Sequence, residues 1–257
     1  MAAVDTTASS GQPPRSPSGN AEATTQGKPG VFEKLHFSTF KSAVIVEFIG
    51  TFLFVLTIPL SSISNGEVAP IAIGFMLMSM VFSFGYLSGG HFNPAVTLAV
   101  FLCNAEFKKE KLILYILAQV AASFAAAVYC IMINGPTFPV PDPGLNFYAM
   151  VRAFFVESVY TFILASVVLH VACSKQKNNN FYGFAIGMAV LSGALCAGGI
   201  SGAAFNPAVA TGLIVTRCLT LKCHAMASIW VYWCSELFGS IVASFFYLSL
   251  LNIDDQY

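Results

Sequence analysis

Two side-chain amides, three carboxyl groups and one imidazole are the groups in this chain best suited to chemistry in an apolar setting. Asn93 and Asn206 each open an Asn-Pro-Ala phrase. Residues 88–96 read Ser-Gly-Gly-His-Phe-Asn-Pro-Ala-Val, and residues 201–209 read Ser-Gly-Ala-Ala-Phe-Asn-Pro-Ala-Val, identical at seven of nine positions. One Asn-Pro would be an ordinary turn or helix-start signal. Asn is a favoured N-cap, and Pro suits the first helical turn because its missing N–H would have been unpaired anyway. Asn93, Pro94 and Ala95, and Asn206, Pro207 and Ala208, therefore predict two helix starts. Each start carries about half a positive charge and unpaired N–H groups. The chemistry available is recognition of a neutral hydrogen-bonding molecule rather than bond making. Glu47, Glu157, Glu236 and His91 are the ionisable groups set within apolar sequence around these phrases.

The elements that must position them are set by where charge is missing. Residues 68–105 and 178–216 contain no Asp, Glu, Lys or Arg and are 38 and 39 residues long. A membrane-spanning helix needs about 20 apolar residues. Each stretch thus holds one span and a remainder too short for a second. The remainder fits a re-entrant segment that dips in, starts a short helix and stops. Irregular backbone at membrane depth is tolerated only where protein buries it or it lines a water-filled cavity. Two such segments predict a pore or a central binding site.

With 56% hydrophobic and 9% charged residues, the chain has too little charge to cover a soluble domain of 257 residues. The formal net charge of zero gives no reason to expect nucleic acid as a partner. No cleavable signal peptide is expected, because the N-terminus lacks a charged region followed by an apolar core. Seven cysteines without a Cys-x-x-Cys pair, and no nucleophile–base constellation, argue against an enzyme and against any metal or other cofactor. The fold class expected is an all-α membrane protein of six transmembrane helices plus two re-entrant half-helices. Residues 1–35 form a Ser/Thr/Pro/Gly-rich tail expected to be disordered. Residues 36–133 form a first repeat with three spans and half-helix 93–103. Residues 134–149 are a Pro/Gly-rich connecting loop. Residues 150–257 form a second repeat with spans four to six and half-helix 206–216.

Glu47-Phe-Ile-Gly-Thr-Phe in the first span echoes Glu157-Ser-Val-Tyr-Thr-Phe in the fourth, and the Glu-to-Asn distance is 46 residues in one half and 49 in the other. Three spans per half make the second repeat enter from the opposite side, an inverted 3+3 arrangement that places its site near the bilayer midplane. With the N-terminus inside, nine basic residues fall on the inner segments and only Arg152, Arg217 and Lys222 on the outer ones. The bias places both termini in the cytosol. The membrane is either the cell surface or an intracellular vacuole. The two half-helices then meet N-terminus to N-terminus, opposing cations while Asn93 and Asn206 donate to a passing oxygen.

In this combination of two Asn-Pro-Ala boxes, two Glu-x-x-x-Thr-Phe echoes and six spans, the chain resembles an aquaporin, a member of the major intrinsic protein family, over roughly residues 40 to 250. The resemblance implies an inverted-repeat bundle, a homotetramer with one pore per subunit in a lipid bilayer, and passive movement of water or small neutral solutes. It implies that Glu47 and Glu157 hold the backbone of the re-entrant loops. It also places the family's narrow filter on Ile73, Ala194, Ala203 and Val209. Water-selective members typically carry an aromatic residue, a His and an Arg at the first, second and fourth of these, so this filter is apolar and lacks the Arg. A wide opening for small uncharged solutes such as glycerol or urea is the expectation.

Other readings stand beside these. Glu236 departs from the family, where Pro or a small apolar residue is common. It is read as a locally hydrogen-bonded group or as a pH-sensitive gate acting between pH 5 and 8. His91, just before the first box, is read as pore-lining rather than gating. Cys218 and Cys223 could pair, with free thiols the default. The rival function is an aquaporin-fold membrane protein with a structural role or a gated pore and little constitutive transport.

Overall fold

The computed structural model of the chain describes residues 39–221 and 223–250. The expected disordered tail, 1–35, lies outside the described residues, as do the last seven residues of the second repeat and Lys222. Eight α-helices follow one another: α1 Thr39–Asn65, α2 Ala69–Ser88, α3 Pro94–Cys103, α4 Lys109–Asn134, α5 Phe147–Val168, α6 Tyr182–Ser201, α7 Pro207–Thr220 and α8 Ile229–Leu250. A π-helical turn, Leu169–Cys173, prolongs α5, and a 3₁₀ turn, Ala225–Ser228, leads into α8. No strand occurs among the described residues. Six of the helical segments are long and apolar enough to cross a bilayer. The other two, α3 and α7, have 10 and 14 residues. At 1.5 Å per residue, α3 covers only about half of a hydrocarbon core roughly 30 Å thick.

The half-helices interleave the two repeats. α1 packs against α2 and α4, α5 against α6 and α8, and α2 against α6. α3 lies chiefly on α8, and α7 on α4, so each short helix is held by the third span of the other half. Small residues permit these approaches, as expected where helices associate by close packing in lipid. A Cβ on Gly187 would fall 2.6 Å from the Gly74 carbonyl oxygen, so α2 and α6 cross with backbone nearly touching. Gly212 of α7 is pressed in the same way onto Ser123 of α4, which is fully buried with its neighbours Ala122 and Ala126.

Two boundaries differ from the sequence expectation for identifiable reasons. The connecting loop is shorter than 134–149, because the Asn146 side chain accepts from the Ala149 N–H at 2.7 Å and starts α5 at Phe147. α7 continues four residues past 216. Arg217 does not leave for water there; it is half-buried, and its Nη1 donates to the Phe138 carbonyl at 2.7 Å.

Candidate functional site

The two Asn-Pro-Ala phrases form the helix starts that their residue types predict. Asn93 Oδ1 accepts from the Ala95 N–H at 2.8 Å and the Val96 N–H at 3.4 Å, and Asn206 Oδ1 accepts from the Ala208 N–H at 3.0 Å. Pro94 and Pro207 occupy the first helical position of α3 and α7. The amide nitrogens then cross between halves. Asn93 Nδ2 donates to the Phe205 carbonyl at 2.7 Å, and Asn206 Nδ2 donates to the Phe92 carbonyl at 2.8 Å. An Asn amide has two hydrogens. One from each is therefore spent on the opposite loop, a use the sequence did not reveal, and one from each is left over.

The loops before the two boxes are strained and are held by the two acids. Phe92 and Phe205 have φ of +46° and +48°, in the left-handed region. Such backbone costs about 1–3 kcal/mol per residue and persists only where its surroundings fix it. Glu47, fully buried, accepts from Ser88 Oγ at 2.7 Å, the His91 N–H at 3.0 Å, the Phe92 N–H at 2.7 Å and Gln119 Nε2 at 2.8 Å. Glu157, also fully buried, accepts from Ser201 Oγ at 2.5 Å, the Ala204 N–H at 3.0 Å and the Phe205 N–H at 2.8 Å. Each carboxyl takes up consecutive loop amides that no helix or strand could satisfy. Tyr115 and Tyr232 brace the same loops by donating to the Ser88 and Ser201 carbonyls.

Two cavities meet at these loops. The larger, about 290 Å³, is lined by Ile73, Ala194, Ala203 and Val209 together with the Pro139–Pro141 segment. Four positions spread over 136 residues of sequence thus line one space. The smaller, about 10 Å³, is lined by Asn93, Asn206, His91, Leu77, Leu164 and Ile186, among others. Phe54, Val190 and Ala204 line both. The space beside the asparagines therefore has about the size of one water molecule, while the Val209 side is open. Among the described residues, no Asp, Glu, Lys or Arg lines either cavity.

Residues 34–247 match the family model described as major intrinsic protein. The chain belongs to the major intrinsic protein family. It is 32% identical over 253 residues to aquaporin NIP1-4 of Oryza sativa subsp. japonica, covering 94% of this chain and 86% of that one. It is 31% identical over 215 residues to glycerol uptake facilitator protein-like 6 of Lactiplantibacillus plantarum, covering 78% of this chain and 94% of that one. Its fold matches the X-ray structure of the aquaglyceroporin from Plasmodium falciparum with a TM-score of 0.70 at 21% identity, covering 82% of this chain and 96% of that one. The fold is thus aquaporin-like, and the chain is a multi-pass integral membrane protein. It is a channel of the water and small-solute class, not an enzyme.

Within this aquaporin-like frame the remaining candidates fall apart. His91 lines the smaller cavity, its ring stacked on Phe107 and its Nδ1 3.2 Å from Thr97 Oγ1. Glu236 lines neither cavity; it is fully buried on α8 beside Glu157. Cys218, in the last turn of α7, is joined by a disulfide to Cys223 just beyond it, where free thiols were the default expectation. Gln119, which ties Glu47 to Thr97 Oγ1 at 2.9 Å, was missed by sequence reasoning. A signal existed. Tyr115-x-x-x-Gln119 in α4 and Tyr232-x-x-x-Glu236 in α8 have the same spacing, and the two tyrosines make equivalent bonds.

Proposed function

We propose that this aquaporin-family chain is a passive pore for water and small uncharged solutes of the glycerol and urea class, with selectivity set by an open apolar filter. The observation that carries the reading is the 290 Å³ cavity bounded by Ile73, Ala194, Ala203 and Val209, without a charged side chain. A filter Arg would project a fixed positive charge and up to five donors into this space; Val209 projects neither. The filter presents carbon to the carbon face of a polyol, while the free hydrogens of Asn93 and Asn206 meet its oxygens. Ions are opposed by the two half-helix N-termini facing each other across the asparagines. Glu47 and Glu157 support the loops, and His91 lines the route.

The arrangement fits repeats at 36–133 and 150–257 joined by the 134–149 segment. It also fits a homotetramer with one pore per subunit and both termini in the cytosol, at the cell surface or in a vacuolar membrane. Stopped-flow light scattering on proteoliposomes tests the reading by comparing water, glycerol and urea. Glycerol and urea flux well above empty liposomes, without ion conductance, is the expected result. A normal water rate with strict glycerol exclusion would sink the open-filter reading. A gated pore is the second reading, favoured by the 10 Å³ space among Phe54, Leu77, Leu164 and Ile186. Folded protein without any flux at neutral pH would select it.

A further inference from the structure

The two loops are supported alike except at one position. Gln119 gives Glu47 an amide hydrogen; the residue equally placed on α8 is an acid. Glu236 and Glu157 are both fully buried and lie beside each other, one turn of α8 before Gly239 packs on the Ser158 carbonyl of α5. Among the described residues neither Glu236 oxygen accepts a hydrogen bond. Two ionised carboxylates offer only acceptors and cannot bond each other, and like charges side by side in a low-dielectric interior do not both ionise.

We propose that Glu236 is a positioning residue that carries one proton and donates it in a hydrogen bond to Glu157, doing for the second loop what the Gln119 amide does for the first. Glu157 already accepts from Ser201 Oγ and the Ala204 and Phe205 N–H groups, which favour its charged form. The proton therefore resides on Glu236, and the pair holds one negative charge, as Glu47 with Gln119 does. Loss of that proton to hydroxide leaves two facing carboxylates directly behind Asn206 and pushes the second loop away from its support.

The titratable neighbours on the packed elements do not replace it. From α5 the facing group is Glu157 itself. On α8, the Tyr232 hydroxyl donates to the Ser201 carbonyl, and Asp142 of the connecting loop lies next to Gly202. From α7, Arg217 is turned to the Phe138 carbonyl. From α3, the Cys103 thiol faces the Ser244 carbonyl, and from the π turn His170 stacks edge-on against Tyr247, both farther along α8.

The inference rests on the channel reading for its flux readout but has a second readout that does not. Infrared difference spectroscopy of the purified full chain, in H₂O and D₂O at neutral pH, is expected to show a protonated-carboxyl C=O band that shifts in D₂O and is lost in Glu236→Gln. Solute flux of the native protein is expected to hold from acid to neutral pH and to be lost as the medium becomes alkaline. Glu236→Gln, which supplies an amide donor as Gln119 does, is expected to keep the neutral-pH flux and show no such loss. Glu236→Leu is expected to lower the unfolding temperature, whereas Glu236→Gln leaves it close to native. Absence of the band in folded protein, or equal pH profiles for native and Glu236→Gln, overturns the proposal. If no flux is seen at any pH, the band and the unfolding temperatures still decide it, and only the channel reading fails.

Discussion

The two re-entrant loops share a backbone and the same acid, serine and tyrosine supports, and differ at three positions around them. Phe92 and Phe205 take the same left-handed conformation, and Asn93 and Asn206 exchange equivalent bonds. In the first loop the surroundings are polar: Gln119, Thr97 and His91 form one hydrogen-bonded chain from Glu47 to the smaller cavity. In the second loop the corresponding positions are Glu236, Ala210 and Ala204. The conformation is thus produced by an acid, an Asn N-cap and a Pro, whatever stands behind them. What stands behind them differs in polarity between the two cavities, hydrogen-bonding beside His91 and largely carbon-lined beside Val209.

Removing the acid from each loop gives the largest expected effect on that comparison. Glu47→Ala strands four donors and Glu157→Ala three, apart from Glu236. Each stranded buried donor costs about 1–3 kcal/mol. Both variants should fail to give folded, monodisperse protein in size-exclusion chromatography; recovery of either with native unfolding temperature would contradict the supporting role.

A smaller effect is expected where the phenylalanines pack. Phe92 lies on Gly50, so Gly50→Ala overpacks the first loop and should destabilise by about 1–3 kcal/mol. The corresponding residue in the second half is Tyr160, whose ring lies 5.4 Å from that of Phe205. Tyr160→Ala opens space there instead, and thermal unfolding of the two variants separates clash from cavity.

Thr97→Val breaks the polar chain at its middle, since Thr97 Oγ1 meets both Gln119 Nε2 and His91 Nδ1. A loss of about 1–3 kcal/mol is expected, readable as a lower denaturation midpoint. Ala210, its counterpart, is fully buried, so Ala210→Thr should also lower the midpoint, there by overpacking. The smallest change is a gain. Ala203 has φ +51° where the first loop has Gly90 at +63°. Ala203→Gly removes strain of about 1–2 kcal/mol, offset in part by the entropy of Gly in the unfolded chain. A small rise in unfolding temperature is expected; a fall would show that Ala203 is held there by its contacts.

Much of this was legible in the sequence. Charge-free stretches longer than one span and shorter than two disclosed the half-helices, and Asn-Pro disclosed their starts, because those signals are local. Glu47 and Glu157 stood out as costly charges in apolar sequence. Gln119 did not, since a lone amide in a span shows its purpose only when Glu47, 72 residues away, is beside it. The end of α7 was misjudged for a related reason: Arg217 marks an exit to water unless a distant carbonyl, that of Phe138, receives it. The four filter positions needed the family resemblance, because no local pattern connects Ile73 with Val209.

The most direct test of the account is the solute flux of Val209→Arg compared with native protein in the same proteoliposomes. The account places selectivity in the open apolar filter, so an Arg there should cut glycerol and urea flux sharply while water still passes. Unchanged glycerol and urea flux in a folded Val209→Arg protein would contradict it and move the selective step inward, to the narrow space beside Asn93 and Asn206.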